Sequence, residues 1–293
     1  MTALYPLFGL ILAALIAATV AVRLKLFSPP LPAFVPRGPG EGGEIAPPLL
    51  LGAFAAYSVS RLLGWGAALV TGRASYGPSV QAPLELEAQT AVLAMLMGMP
   101  AVVAIAWWSR RLVIQPFDPS PARIPALGGQ AVLWGLVVLP IVFSLGLAAR
   151  WLSEWLGQPV DSAAHLMLKR IVEPSGDPAW RMCLIASAVI GAPVIEEFCF
   201  RALLQRGVMT LTRSAWPAIV FTSALFTVMH VGSIPAGSFW AAATVIFSLS
   251  VLLGLLFART GSVVTVIVVH GMFNAANIAA ALYVEWAART GGP

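Results

Sequence analysis

The sequence predicts an all-α polytopic membrane protein of about eight transmembrane helices. Hydrophobic residues make up 59% of the chain and charged residues only 10%, against roughly a quarter charged in soluble domains, and the mean hydropathy is +0.88. The apolar residues gather into eight runs, each near the roughly 20 residues that a helix needs to cross a hydrocarbon core. Prolines, glycines and most of the charges lie between those runs, as expected of connections that stay in water.

The first run, Ala3 to Val22, has no basic residue before it and is followed by Arg23 and Lys25. A cleavable signal peptide carries its positive end first, so this run is expected to be a retained span with its N-terminus outside. Phe27 to Pro48, rich in Pro and Gly and carrying Arg37, Glu41 and Glu44, reads as a solvated linker. Span two runs from Leu49 to Val70 and contains Arg61, expected to snorkel or to face the bundle interior. Thr71 to Glu87 is a polar connection. Span three, Ala88 to Trp108, closes on Trp107, Trp108, Arg110 and Arg111, the aromatic and basic pattern of a membrane interface.

A proline-dense loop, Gln115 to Pro125, leads into span four, Ala126 to Ala149. Arg150 to Arg181 is the longest polar stretch. Within it Val160 to Val172 has the pattern of an amphipathic helix on the membrane surface, and His165 reads as a solvated loop residue. Spans five to eight are Met182 to Gln205, Ala215 to Val231, Phe239 to Ala258 and Ser262 to Tyr283, and Pro193 is expected to kink span five. The chain thus divides into an N-terminal four-helix membrane region with a long polar loop (1–180), a core of four membrane helices (181–284) and a C-terminal tail (285–293). The distribution of Lys and Arg among the loops favours both termini outside.

The net charge is +5, yet the basic residues are scattered between apolar runs and form no stripe for phosphates to follow, which argues against nucleic acid as a partner. Cys183 and Cys199 fall on one predicted span about 24 Å apart at helical rise, too far to form a disulfide within the chain.

Span five contains Ala192-Pro-Val-Ile-Glu-Glu-Phe-Cys-Phe-Arg201. An ionisable group within a span costs a few kcal/mol by insertion scales, so two carboxylates and a guanidinium within six residues need a reason. On a helix Glu197 and Arg201 are four apart and can neutralise each other. Glu196 is rotated about 100° from its neighbour and is left available for chemistry. Two of the three histidines also lie inside spans: His230 near the end of span six, and His270, which shares a helix face with Asn274 in span eight. Measured from the side joining spans five and six, Glu196 lies about 15–20 Å deep, His230 about 20–24 Å and His270 about 12–15 Å, depths that an ordinary tilt can reconcile.

A carboxylate beside an imidazole can act as a general base. In that reading Glu196 takes a proton from a water oriented by His230, and His270 and the Asn274 amide stabilise the oxyanion, while Glu197 and Arg201 hold the local geometry. No cofactor is then needed. Two histidines and a glutamate are also a known zinc set, so Glu196, His230 and His270 stand as alternative zinc ligands of a metalloendopeptidase. Two readings from other classes remain: a non-proteolytic binding, immunity or scaffold protein, and a transporter that uses the buried ionisable groups as a proton relay.

Glu-Glu-x-x-x-Arg (Glu196, Glu197, Arg201), Phe-x-x-x-His (Phe226, His230) and His-x-x-x-Asn (His270, Asn274), in that order and spacing, resemble the CPBP family of intramembrane proteases. That family includes CAAX prenyl endopeptidases and bacterial proteins linked to bacteriocin processing and abortive infection. Arg259-Thr-Gly-Ser262 resembles the family's approach to its third motif, whereas Ala202 stands where many bacterial members have glycine. The resemblance, over about Met182 to Ala280, implies an eight-helix fold and a glutamate-dependent peptidase with Glu196, His230, His270 and Asn274 as its catalytic set. It further implies a membrane-associated peptide or protein as substrate, and a place in the bilayer of a bacterial cytoplasmic membrane.

Overall fold

A computed structural model of the chain describes residues 4–28, 41–76, 82–111, 124–158, 160, 166–172 and 177–291. Every long element among them is helical: α1 (Leu4–Arg23), α2 (Glu41–Thr71), α3 (Leu84–Arg111), α4 (Ile124–Trp155), α5 (Leu166–Val172), α6 (Pro178–Thr212), α7 (Ala215–Met229), α8 (Phe239–Thr260) and α9 (Val263–Thr290). Helices satisfy their own backbone groups, which is the condition for crossing lipid. Six of them, α2, α3, α4, α6, α8 and α9, are long and apolar enough to do so. The apolar stretches Leu12–Arg23 of α1 and Ala215–Met229 of α7 are shorter.

Several boundaries differ from the sequence expectation. Residues 41–48 are not linker but the first turns of α2, with Pro47 and Pro48 inside the helix. Each proline removes one backbone donor, but Ala46 and Leu49 are buried there, and packing outweighs the local preference. Residues 29–40 of the expected linker, with Arg37, lie outside the described residues, as do 112–123 and His165. Helix α4 runs past Ala149 to Trp155, with an Arg150–Glu154 pair at 2.9 Å across its last turns, and α9 runs on to Thr290. Arg61 does not face the bundle interior: it is exposed on α2. Cys183 and Cys199 are free thiols.

The described part of the expected surface helix docks on the bundle rather than on lipid. Arg170 of α5 donates to Glu87 of α3 at 2.9 Å and to the Ala82 carbonyl, and Arg73 approaches the same carboxylate at 3.6 Å. Behind this cluster Ile171 is buried among Leu84, Ala88, Leu184 and Ile278. The amphipathic pattern therefore reports a protein contact, with the apolar side turned inward.

α6 is the helix that the others surround: it packs on α2, α3, α7 and α9. It opens with Asp177 as N-cap, whose carboxylate accepts from the Ala179 N–H at 2.8 Å, and with Pro178 at the first helical position, where its missing N–H costs nothing. α8 is the most enclosed element, nearly continuously buried from Leu249 to Ala258, as an all-apolar helix must be to have a dry partner on every side. It reverses into α9 through Gly261, whose φ of 66° suits glycine, and Ser262, which caps α9 by accepting from the Thr265 N–H at 3.2 Å.

Candidate functional site

The two glutamates stand on a short α-helical segment of α6, Ala192–Glu197, bracketed by π-helical stretches at Ser187–Gly191 and Phe198–Gln205. The disturbance expected from Pro193 thus takes the form of a π turn, a feature that concentrates at functional sites. Its hydrogen bonds show why Asn274 is needed. The Ala192 N–H bonds the Ser187 carbonyl, five residues back. The next carbonyl, Ala188, would look in the same register to residue 193, a proline without an N–H. Asn274 Nδ2 donates to it instead, at 2.8 Å. This close approach of α9 to α6 depends on Gly271, where a Cβ would lie 2.7 Å from the Val189 carbonyl oxygen.

Glu197 and Arg201 are both fully buried, with 0% side-chain exposure, and pair at 3.2 Å between Oε2 and Nε. The other carboxylate oxygen of Glu197 accepts from His270 Nδ1 at 2.8 Å. Arg201 Nη2 donates to the carbonyl and hydroxyl of Ser250 on α8, at 3.1 and 2.9 Å, and its guanidinium lies over the Phe226 ring at 5.1 Å. The buried ions are linked into one network through His270 and Ser250, with Arg201 Nη1 left without a hydrogen-bond partner among the described residues.

Glu196 turns the other way and is 25% exposed. His230 Nε2 lies 3.8 Å from its Oε1, and His270 Nε2 lies 3.8 Å from its Oε2. His230 caps the C-terminal end of α7, with Nδ1 2.7 Å from the Phe226 carbonyl, one of the carbonyls a helix end leaves without a partner. A carbonyl only accepts, so Nδ1 carries the proton; the same holds for His270 Nδ1 against the Glu197 carboxylate. Each ring then turns its Nε2 toward Glu196. The Phe226 ring holds this set together: its centroid is 4.4 Å from that of His230, 6.1 Å from that of His270 and 5.0 Å from that of Phe200.

The structure thus brings Glu196, His230 and His270 together, joins Glu197 to Arg201 and His270, and places Asn274 against the backbone of α6. Sequence reasoning missed Ser250, the anchor of Arg201, although a serine within the apolar run of span seven was its signal. It also missed the Ala188 carbonyl, which carries no sequence signal of its own. The alternative zinc set gains no support from this geometry: among the described residues no group of three or more His, Cys, Asp or Glu side chains is arranged to hold a metal ion.

The family model described as "Type II CAAX prenyl endopeptidase Rce1-like" matches residues 178–276, from the start of α6 through the middle of α9. Over this segment, about a third of the chain, the protein is similar to the Rce1-like family. The match contains all three motifs, from Glu196 to Asn274. No curated protein and no solved structure matches the chain.

Proposed function

We propose that this protein is an intramembrane endopeptidase that hydrolyses a peptide bond of a membrane-associated peptide or protein through a water activated by Glu196. The observation that carries this reading is the facing of two imidazole Nε2 atoms, each 3.8 Å away, to the two oxygens of one partly exposed carboxylate. A water that donates to a Glu196 oxygen and to His230 Nε2 would span the first of these gaps. Glu196 takes the proton of that water, with His230 accepting its second hydrogen bond and fixing its direction. The hydroxide oxygen bonds to the peptide carbonyl carbon, the C–N bond breaks, and the proton held by Glu196 passes to the departing nitrogen.

The carbonyl oxygen becomes an oxyanion on the way. Asn274 has one N–H engaged by Ala188 and a second to offer. His270, held by Glu197, adds an Nε2 donor when protonated. We assign eight spans to the chain, with α1 and α7 as the two short ones, residues 181–284 as the catalytic core, and a bacterial cytoplasmic membrane as its location. The prenylated peptides named in the family description are one member of the substrate class.

The test is a peptide library digested by the purified protein in detergent, comparing wild type with Glu196→Gln and His230→Ala, with and without chelator. Cleavage should fall about 100- to 10,000-fold in Glu196→Gln and be indifferent to chelator. Cleavage that survives both substitutions sinks the reading, and activity lost to chelator and restored by zinc replaces it with the metal-dependent one.

A further inference from the structure

Asn277 is a polar group that the site described above does not use. It stands about 20 Å from either end of α9, deep in an apolar helix, where an unpaired amide costs free energy. Its Nδ2 donates to the Phe273 carbonyl at 3.1 Å, and among the described residues Oδ1 and the second N–H have no partner. Helical geometry fixes the way it faces. Residues seven apart differ by about 20° in direction, so Asn277 shares the face of His270, whose ring reaches both glutamates. The flanks of that face are occupied: Phe273 stacks on Phe143 of α4 at 5.6 Å, and Ile278 is buried in one cluster with Leu184 of α6. The exposed stripe Ala275, Ala279, Tyr283 and Trp286 lies on the opposite side. Along the shared face exposure rises from His270 (4%) through half-buried Asn277 to Val284 (59%), as on the wall of a cleft that opens toward the C-terminal end of α9.

The facing wall is missing for a reason. Glu197 meets His270 and Ala188 meets Asn274, so α9 runs antiparallel to α6. Phe200 meets Phe226 and Glu196 meets His230, so α7 does too. α7 and α9 are therefore parallel, and α7 stops at His230, level with His270. Beyond that level α7 no longer covers the face that carries Asn277, and a Cβ on Gly232, just past His230, would meet nothing within 4 Å.

A peptide that reaches Glu196 from this end passes Asn277. Lipid tails, the other molecules at this depth, offer neither donor nor acceptor. We propose that Asn277 is a substrate-binding residue that holds the backbone of the peptide, in extended form, about three residues from the bond to be cut. The inference rests on the peptidase reading. The distance follows from helical rise: Asn277 stands about 10 Å beyond His270, a length that an extended peptide covers in about three residues. The pairing follows from the amide. Oδ1 accepts and the remaining N–H donates, and one residue of an extended strand turns its own N–H and C=O to the same side. Such a contact reads no side chain. It selects a substrate that is unwound at this point, because a helical peptide has both groups engaged in its own ladder.

The test uses the full chain in phosphatidylcholine nanodiscs, carrying Glu196→Gln so that peptides are bound and not cut. The tightest binder of a labelled library of membrane-soluble peptides is remade as a series in which each backbone amide in turn becomes an ester. Each ester removes one N–H and leaves every side chain in place. The ester about three residues from the cleaved bond should weaken binding about tenfold, as loss of one hydrogen bond would give. Asn277→Ala should weaken the parent peptide by a like factor and abolish the effect of that ester alone, because the two changes remove one contact. Its unfolding midpoint should equal that of the protein with Asn277. Esters that act equally with and without Asn277, an equal loss for every peptide together with lost stability, or no binding by any peptide overturns the inference. Protein with its native Glu196 locates the cleaved bond and separates the two failures. Glu196-dependent cutting that ignores Asn277→Ala keeps the peptidase reading and removes this one, whereas ester-coupled binding without any cutting does the reverse.

Discussion

Glu196 and Glu197 are neighbours in the chain and opposites in surroundings. Glu197 is enclosed, paired with Arg201 and His270, and tied through Arg201 to Ser250. Glu196 is a quarter exposed and has two imidazole nitrogens at 3.8 Å. One face of α6 is thus a closed ionic network and the other an open cluster of polar groups. His270 belongs to both, with Nδ1 on the closed face and Nε2 on the open one. Adjacent identical side chains acquire different work because a helix turns about 100° per residue, and here that turn separates dry protein from accessible space.

The comparison predicts a division of effects. The largest is on chemistry alone: Glu196→Gln should lower turnover about 100- to 10,000-fold while leaving the thermal unfolding midpoint in detergent unchanged. A comparable loss of stability would show that the open face is structural too. Next, Glu197→Leu leaves Arg201 buried without its carboxylate and should cost about 3–5 kcal/mol, read by thermal or denaturant unfolding. The double variant with Arg201→Met should recover most of that loss. A single variant of wild-type stability would dissolve the distinction between the faces.

Gly271→Ala should trouble both faces at once. Its Cβ would press on the Val189 carbonyl at 2.7 Å and push α9 away from α6, with an expected cost of about 1–3 kcal/mol and a fall in turnover, because His270 and Asn274 move with the helix. The smallest effect belongs to a control far from both faces. The exposed Arg289–Glu285 pair at 2.7 Å should contribute no more than about 1 kcal/mol, so Arg289→Ala should change neither unfolding nor cleavage measurably.

Much of the site was legible in the sequence because its cost in lipid is high. Glu196, Glu197, Arg201, His230 and His270 stand out in apolar runs, and the four-residue spacing of Glu197 and Arg201 was enough to pair them. What could not be read depends on backbone. Helical wheels assume 3.6 residues per turn, so the π turns flanking the glutamates were invisible, and with them the need of the Ala188 carbonyl for Asn274. An oxyanion role is the natural reading of that amide in sequence, yet in the structure one of its two N–H groups completes a helix. Helix ends were misjudged where packing overrode local preference, as at Pro47 and Pro48, or where exposed ion pairs extended a helix into a stretch read as loop or tail. Arg61 was conspicuous, but which way it faced depended on how α2 sits against α6.

The brevity of α7 reaches beyond the protein. Fifteen residues rise about 22 Å, against a hydrocarbon thickness of about 30 Å, and the helix stops at the imidazole of His230. In the proposed eight-span arrangement such a mismatch can be met by local thinning of the surrounding bilayer. A dimple in the leaflet above His230 would bring bulk solvent down toward the carboxylate, and the hydrolysis proposed for Glu196 would then draw its water from the lipid's own deformation.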